Sequence, residues 1–318
     1  MKYTLKNVLV TGASTPVGER VIRRLIDDSR VDQILAVTSP KAPLTIPESD
    51  RLKAVPVDLR RERRVHSLLF GPAREMGVNV VVHTAMEPSA SKEGSSVHAF
   101  NVQALRSIIS LSERHPSVKR LVVRSAAEVY QFRNNLPVLI SEEHELNMSR
   151  GAPQWVRDRV EADLTACTRM GLSPLQIVVL RMAEVVAPGT GSQMFDYLQS
   201  PVCFRPAGYD PMTNLMTLED TAAALQRALH HDEQGVFNIP GADTLPLTAC
   251  IRQWGRLGVP VPDGMLTPLY RVRARLTGRE FRYGMNRRRF HYSGVLDGRR
   301  AAQVLGYIPS YPIAWPTA

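Results

Sequence analysis

The first 180 or so residues alternate two kinds of segment, and that rhythm constrains the fold more than any other feature of the chain. Short apolar runs rich in β-branched residues occur at 6–12 (KNVLVTG), 33–39 (QILAVTS), 52–59 (LKAVPVDL), 79–85 (NVVVHTA), 118–126 (VKRLVVRSA) and 175–181 (LQIVVLR). Between them lie stretches of helical period. The stretch 18–28 puts Val21, Ile22 and Leu25 on one face, and 95–114 and 153–170 read as longer helices. Strands alternating with helices build parallel sheets, and strands this uniformly apolar are covered on both faces. The expected class is α/β: a Rossmann-type, doubly wound parallel sheet over residues 1–185.

After about residue 185 the rhythm gives way to short pieces punctuated by proline and glycine (APGTGS, SPVCFRPAGYDP, NIPGADTLP). Two helices still read clearly, 219–231 and 247–258. The expectation is a smaller, irregular C-terminal substrate lobe over 186–318, with 214–240 returning to the first domain. Ligands of open α/β sheets lie beyond the carboxyl ends of the strands, which places the cleft between the two lobes.

Composition excludes several classes. No window approaches the roughly 18 consecutive apolar residues of a membrane span, and the N-terminus runs straight into a strand without a signal-peptide pattern. The three cysteines, Cys167, Cys203 and Cys250, are far apart. They suit buried positions in a reducing cytoplasm rather than a disulfide framework or a four-cysteine zinc site, and no other metal-ligand spacing stands out. The formal net charge is +10, most of it contributed by 271–300. Such a basic region suits an anionic partner or simply a solvated surface. No motif for specific nucleic-acid recognition accompanies it.

The segment VLVTGASTPVGERV follows the first strand and opens the first helix, the setting in which free helix N–H groups receive a pyrophosphate. Gly12 would allow the tight turn, and Gly18 the close packing of helix on sheet. Further segments follow in order: VDL with Asp58, VVHTAM, FNVQAL with Asn101, SAAEVYQ, LRMAEVVAPG, LMTLEDTAAAL, GVFNIPG and VLDGRRAAQVLGYIP. Together these resemble the extended short-chain dehydrogenase/reductase family, the nucleotide-sugar epimerases and dehydratases, over nearly the whole chain. The resemblance implies an NAD or NADP site formed by Gly12, Ser14, Thr15, Val17, Gly18, Thr38, Asp58, Leu59, Thr84, Ala85, Asn101, Ser125 and Arg159. The family opening is T-G-x-x-G-x-x-G, and here its middle glycine is Thr15, followed by Pro16. A side chain there crowds the phosphates unless the loop reshapes, although its hydroxyl offers a donor. No acid ends the second strand at Val37, Thr38 or Ser39, and Lys41 follows, which leans to NADP.

The family chemistry uses a serine or threonine, a tyrosine and a lysine. A tyrosine titrates near 10 unless a cation lies close by. Counting from Tyr130 in SAAEVYQ, the resemblance puts these three positions at Ala126, Trp155 and Arg159. Indole cannot act as a base, and an arginine without a phenol beside it has nothing to activate. Glu128 stands where the dehydratase and decarboxylase branches carry a glutamate, and is the remaining candidate base; Tyr130, Ser125 and His83 are weaker substitutes.

Three readings follow. The leading one is an NAD(P)- or nucleotide-binding protein without hydride transfer, acting as sensor, scaffold or partner-binding protein. The second is a divergent oxidoreductase, epimerase or dehydratase acting on a nucleotide sugar or lipid-like alcohol with Glu128 as base. The third is a basic adaptor without a cofactor. In the second lobe, Arg181, Arg205, Arg252 and members of 271–289 are candidate holders of an anionic group. The stretch 265–278 suits either a membrane surface or packing on its own lobe. Family members commonly form homodimers through helices corresponding to 95–114 and 153–170.

Overall fold

The computed structural model describes residues 6–46, 49–278 and 280–316. The first five residues of the N-terminal stretch and Arg279 of the basic run lie outside the described residues. Seven strands form one sheet: β1 (Lys6–Thr11), β2 (Val31–Thr38), β3 (Leu52–Pro56), β4 (Val80–His83), β5 (Arg120–Ala126), β6 (Gln176–Met182) and β7 (Gly235–Ile239). Their order is β7-β6-β5-β4-β1-β2-β3, and every pairing is parallel.

Alternation along the strands sorts the core into two layers. Val8, Val10, Val80, Val82 and Val178 face the helices Pro16–Ile26 and Leu218–His230. Leu9, Val81, Leu121 and Ile177 face the opposite layer, where Leu68, Leu105 and Ile108 pack on them. The covering of both faces is what the uniformly apolar strands require.

The chain leaves this sheet after β6 and re-enters it at β7. The helix Leu218–His230 begins on Thr217, whose hydroxyl accepts from the Asp220 N–H, with Glu219 and Asp220 in the first turn. A hydroxyl cap followed by acids satisfies the orphan donors and the dipole at a helix start. Arg120 on β5 then pins the returning segment: its Nε donates to the Ala228 carbonyl at 2.8 Å and its Nη2 to that of Glu233 at 2.6 Å.

One local expectation needs correction, and two others gain detail. The segment 247–258 is a helix only over Leu247–Gln253; Leu257–Val261 is a strand paired with Val202–Pro206. Gly258 and Pro260 are poor helix residues and are tolerated in a short, unshielded strand. The 95–114 helix contains a wide turn over Ala99–Gln103. The basic run folds as two helices, Asp263–Thr277 and Tyr283–His291, separated at Gly278 with φ +67°. Leu266 and Tyr270 of the first pack into the small-lobe core with Tyr197, Phe281 and Phe290, while Met265, Val272 and Leu276 stay exposed. Packing on its own lobe is therefore observed for this helix. Among the described residues no helix is long and apolar enough to cross a membrane.

Candidate nucleotide cleft and inner chamber

β1 delivers Gly12 to the turn before the first helix with φ +68°, and a Cβ there would lie 2.8 Å from the Ala85 backbone. Both constraints select glycine. Beyond the carboxyl ends of β1, β2 and β4 opens a cleft of about 630 Å³, within the range of small-molecule sites. Of the residues expected to hold a cofactor, Gly12, Ser14, Thr15, Thr38, Asp58, Leu59 and Ala85 line it. Lys41, Arg60, Lys92 and Phe100 line it too. Lys41 had been weighed from the sequence; the other three had not. Arg60 chelates Asp58 through Nε at 2.7 Å and Nη2 at 2.9 Å, and reaches Ser96 at 3.0 Å. Its guanidinium holds the Asp58 carboxyl below the ordinary carboxylate range.

The helix start is less generous than the sequence suggested. The Thr15 hydroxyl donates to the Gly12 carbonyl at 2.7 Å and accepts from the Gly18 N–H at 3.1 Å. It caps its own helix instead of offering a proton to a phosphate, which corrects that expectation. Pro16 brings no N–H, and the Ala13 and Thr15 N–H groups bond to Val37 and Gly12 carbonyls. The Ala13, Thr15 and Gly18 donors of the loop are thus consumed internally.

Next to the cleft lies a second space, walled by Ser125, Ala126, Glu128, Trp155 and Arg159, with a volume of only about 20 Å³. That admits roughly one water molecule. Residues 85–87 form the partition: Ala85 and Glu87 face the cleft and Met86 the chamber. Trp155 fills the interior, 5% exposed, and Arg159 lies over its ring 3.5 Å from the centroid. Arg159 Nη1 also donates to the Trp155 carbonyl at 3.0 Å. Burial pushes the Arg159 guanidinium down to about 10, opposed by Glu128, so it stays charged at neutral pH.

Charges that the sequence does not bring here stand in the wall and behind it. Arg289 lies 2.6 Å from Glu184 and 3.6 Å from Glu128. Burial alone would raise the Glu184 pKa, but Arg289, the Met194 N–H and the Ser192 hydroxyl more than offset it and hold the group below its ordinary value. Burial depresses Arg124, against the field of Glu128. Arg124 Nε and Trp155 Nε1 find no hydrogen-bond partner among the described residues. Arg124 and Ala126 share one side of β5 by the two-residue period. For Arg289 no signal in a run of arginines marks the one that turns inward.

The other expected residues have structural duties. Val17 and Gly18 are buried at the helix start, and Thr84 donates to the Thr11 carbonyl at 2.7 Å. Asn101 accepts from the Glu87 N–H and donates to Asp158. The Ser125 hydroxyl is turned to Asp163 at 2.6 Å. Arg181, expected to hold an anion, instead forms a buried pair with Asp163 through Nε at 3.0 Å and Nη2 at 2.6 Å. It also donates to Tyr130 Oη, which itself donates to Asn238. Burial pushes the Tyr130 phenol up to about 12. His83 sits against Thr11 at 2.9 Å and is pushed down to about 4 by burial. A separate groove of about 790 Å³ near the small lobe is lined by Arg133, Arg287, Arg288 and His291. Two arginines of the basic run, Arg287 and Arg288, therefore do line a cavity.

The profile of the NAD dependent epimerase/dehydratase family matches residues 8–198. An uncharacterized protein of Mycobacterium tuberculosis (strain H37Rv) is 29% identical over 318 residues, covering 96% of this chain and 81% of that protein. Among solved structures, dTDP-glucose 4,6-dehydratase of Bacillus anthracis in complex with NAD superposes with a TM-score of 0.71 at 17% identity, covering 98% of this chain and 94% of that one. UDP-glucose 4-epimerase of Thermotoga maritima with UDP-glucose gives 0.70 at 15% identity, covering 96% and 94%. With the family match running over residues 8–198, more than half of the chain, and a parallel seven-stranded sheet to carry it, the chain belongs to the NAD dependent epimerase/dehydratase family.

Proposed function

We propose that this chain binds an NAD(P)-type or related nucleotide but does not transfer hydride, and that it works as a sensor, scaffold or partner-binding protein. The observation that carries this is the contrast in volume between the cleft, about 630 Å³, and the chamber beside Glu128, Trp155 and Arg159, about 20 Å³. A reacting ring and a substrate carbinol must lie side by side within reach of a proton-transfer group, and the chamber holds neither. Gly12, Thr38, Asp58 and Ala85 would hold the adenosine half of a cofactor, whose nicotinamide ring supplies hydride chemistry when bound in such enzymes. What the chain's own residues do is bind and orient a nucleotide at Lys41 and Arg60, and exclude water with Trp155. No acid ends β2 at Val37, Thr38 or Ser39 to repel a 2′-phosphate, which favours NADP over NAD.

A second reading, supported by Glu128 on the chamber wall, is a divergent oxidoreductase, epimerase or dehydratase acting on a nucleotide sugar or lipid-like alcohol. Against it, the Glu128 carboxylate already faces Arg289, and a base so engaged has no room for a substrate beside it. Turnover assays with sugar nucleotides and NAD or NADP test both readings. The expected result is no cofactor reduction and no epimerised or dehydrated product. Activity that Glu128→Gln abolishes would replace the first reading with the second.

The proposal extends to setting and partners. Cys167, Cys203 and Cys250 are free thiols, in keeping with a cytoplasmic location. Arg287 and Arg288 in the second groove suit an anionic small molecule or an acidic segment of a protein. A homodimer would use the two helices around 95–112 and 154–167. The exposed Met265, Val272 and Leu276, with Arg271 and Arg275 beside them, would make any membrane contact a peripheral one.

A further inference from the structure

The nicotinamide half of a dinucleotide does not fit the residues present, and that disagreement identifies the ligand more narrowly. Resting on the nucleotide-binding reading above, we infer that the cleft takes a single nucleotide, such as a nucleoside diphosphate, rather than a dinucleotide.

Two independent features lead there. The first is steric. A dinucleotide must run from the cleft past residues 85–87 into the chamber, and the chamber is filled by the indole of Trp155 with Arg159 stacked on it at 3.5 Å. The wall that closes it has little freedom to retreat. Gly191, at φ +79°, brings its α-carbon so close to Pro88 that a Cβ would lie 2.3 Å from the Pro88 carbonyl oxygen. Gly189 in the same loop stands against Pro16, where a Cβ would meet Cγ at 3.1 Å.

The second feature is the supply of donors. A pyrophosphate bridging two nucleosides crosses a helix start and is held there by free N–H groups. Here Pro16 has none and the Gly18 N–H is taken by Thr15 Oγ1, which leaves the Val17 N–H as the donor of this first turn. Of the cations lining the cleft, Arg60 and Lys92 are held on Asp58 and Glu87, which leaves Lys41 to meet a phosphate. Charge-assisted contacts of this kind hold a terminal phosphate well. A ligand ending in a phosphate is thus matched at the cleft, and one continuing inward is not.

Isothermal titration of the full chain with ADP, NAD, NADP and nicotinamide mononucleotide tests this. ADP is expected to bind within about threefold of NAD, with nicotinamide mononucleotide showing no heat of binding. NAD binding tenfold or more tighter than ADP would overturn the inference while leaving a nucleotide-binding protein in place. Binding of NADP alone would overturn it and leave the functional reading in place, whereas binding of none of ADP, NAD and NADP would overturn both. Trp155→Ala opens the chamber and should raise NAD affinity severalfold with ADP unchanged; a folded variant in which NAD gains nothing over ADP speaks against the inference. Trp155→Leu, smaller than indole but still apolar, serves if the alanine variant does not fold, and in either case the ADP-to-NAD ratio of the unaltered chain decides.

Discussion

The Arg159 guanidinium lies over the Trp155 ring, 3.5 Å from its centroid, while hydrogen-bonding the carbonyl of that same residue, so the two side chains act as one plug. Both halves are buried, and a desolvated cation on an indole face contributes about 2 kcal/mol. Arg159→Lys keeps the charge but loses the stack and the fixed hydrogen bond. Urea unfolding is expected to show a loss of about 1–2 kcal/mol, with no oxidoreductase activity gained. Unchanged stability would mean that the stack contributes nothing to holding the chamber closed.

Asp163 accepts from Ser125 and from two nitrogens of Arg181, wholly out of solvent. Asp163→Ala strands a buried guanidinium, which should cost about 3–5 kcal/mol. The double variant Asp163→Leu, Arg181→Met removes both charges and should recover a substantial part of that loss in thermal unfolding. Equal destabilisation of the single and double variants would contradict this account of the pair.

His83 links stability to pH. Its folded pKa, pushed down to about 4 from 6.5 by burial, lies below the unfolded value, so between these two pH values the unfolded chain binds the extra proton. Its contribution is complete above pH 6.5 and is lost as pH falls toward 4, by at most about 3 kcal/mol. Chemical denaturation across that window should show stability rising with pH, and His83→Asn should flatten the slope.

Gly191→Ala places a side chain on a left-handed backbone and against the Pro88 carbonyl. Strain of this kind costs about 1–3 kcal/mol. Limited proteolysis should cut the 186–192 loop faster in the variant than in the parent chain.

Lys41→Ala removes a cation from the cleft. It should weaken ADP about tenfold, the size expected of one charged hydrogen bond. Unchanged ADP affinity would place Lys41 away from the terminal phosphate.

Periodicity exposed the parallel sheet because each buried strand is apolar on both faces, and six of its strands could be read from that pattern alone. The seventh, Gly235–Ile239, was reached through the GVFNIPG resemblance instead. Periodicity fails where tertiary pairing overrides local preference, as at Leu257–Val261, a strand only because Val202–Pro206 lies beside it. The site divides in the same way. Gly12 and Asp58 were legible because backbone geometry and chain position fix them. Arg124 and Arg289 were not, since nothing local tells a charged residue that it will be enclosed. Thr15 misled for a related reason: its hydroxyl had a nearer partner in its own helix.

The chain's re-entry at β7 governs how the protein can be dissected. The family profile stops at residue 198, yet a fragment cut there would lack both β7 and the helix Leu218–His230. The bare edge of β6 and the uncovered Ile22 and Leu25 would then invite aggregation. Truncation is therefore the wrong tool for separating the lobes, and point substitutions in the intact polypeptide are the right one.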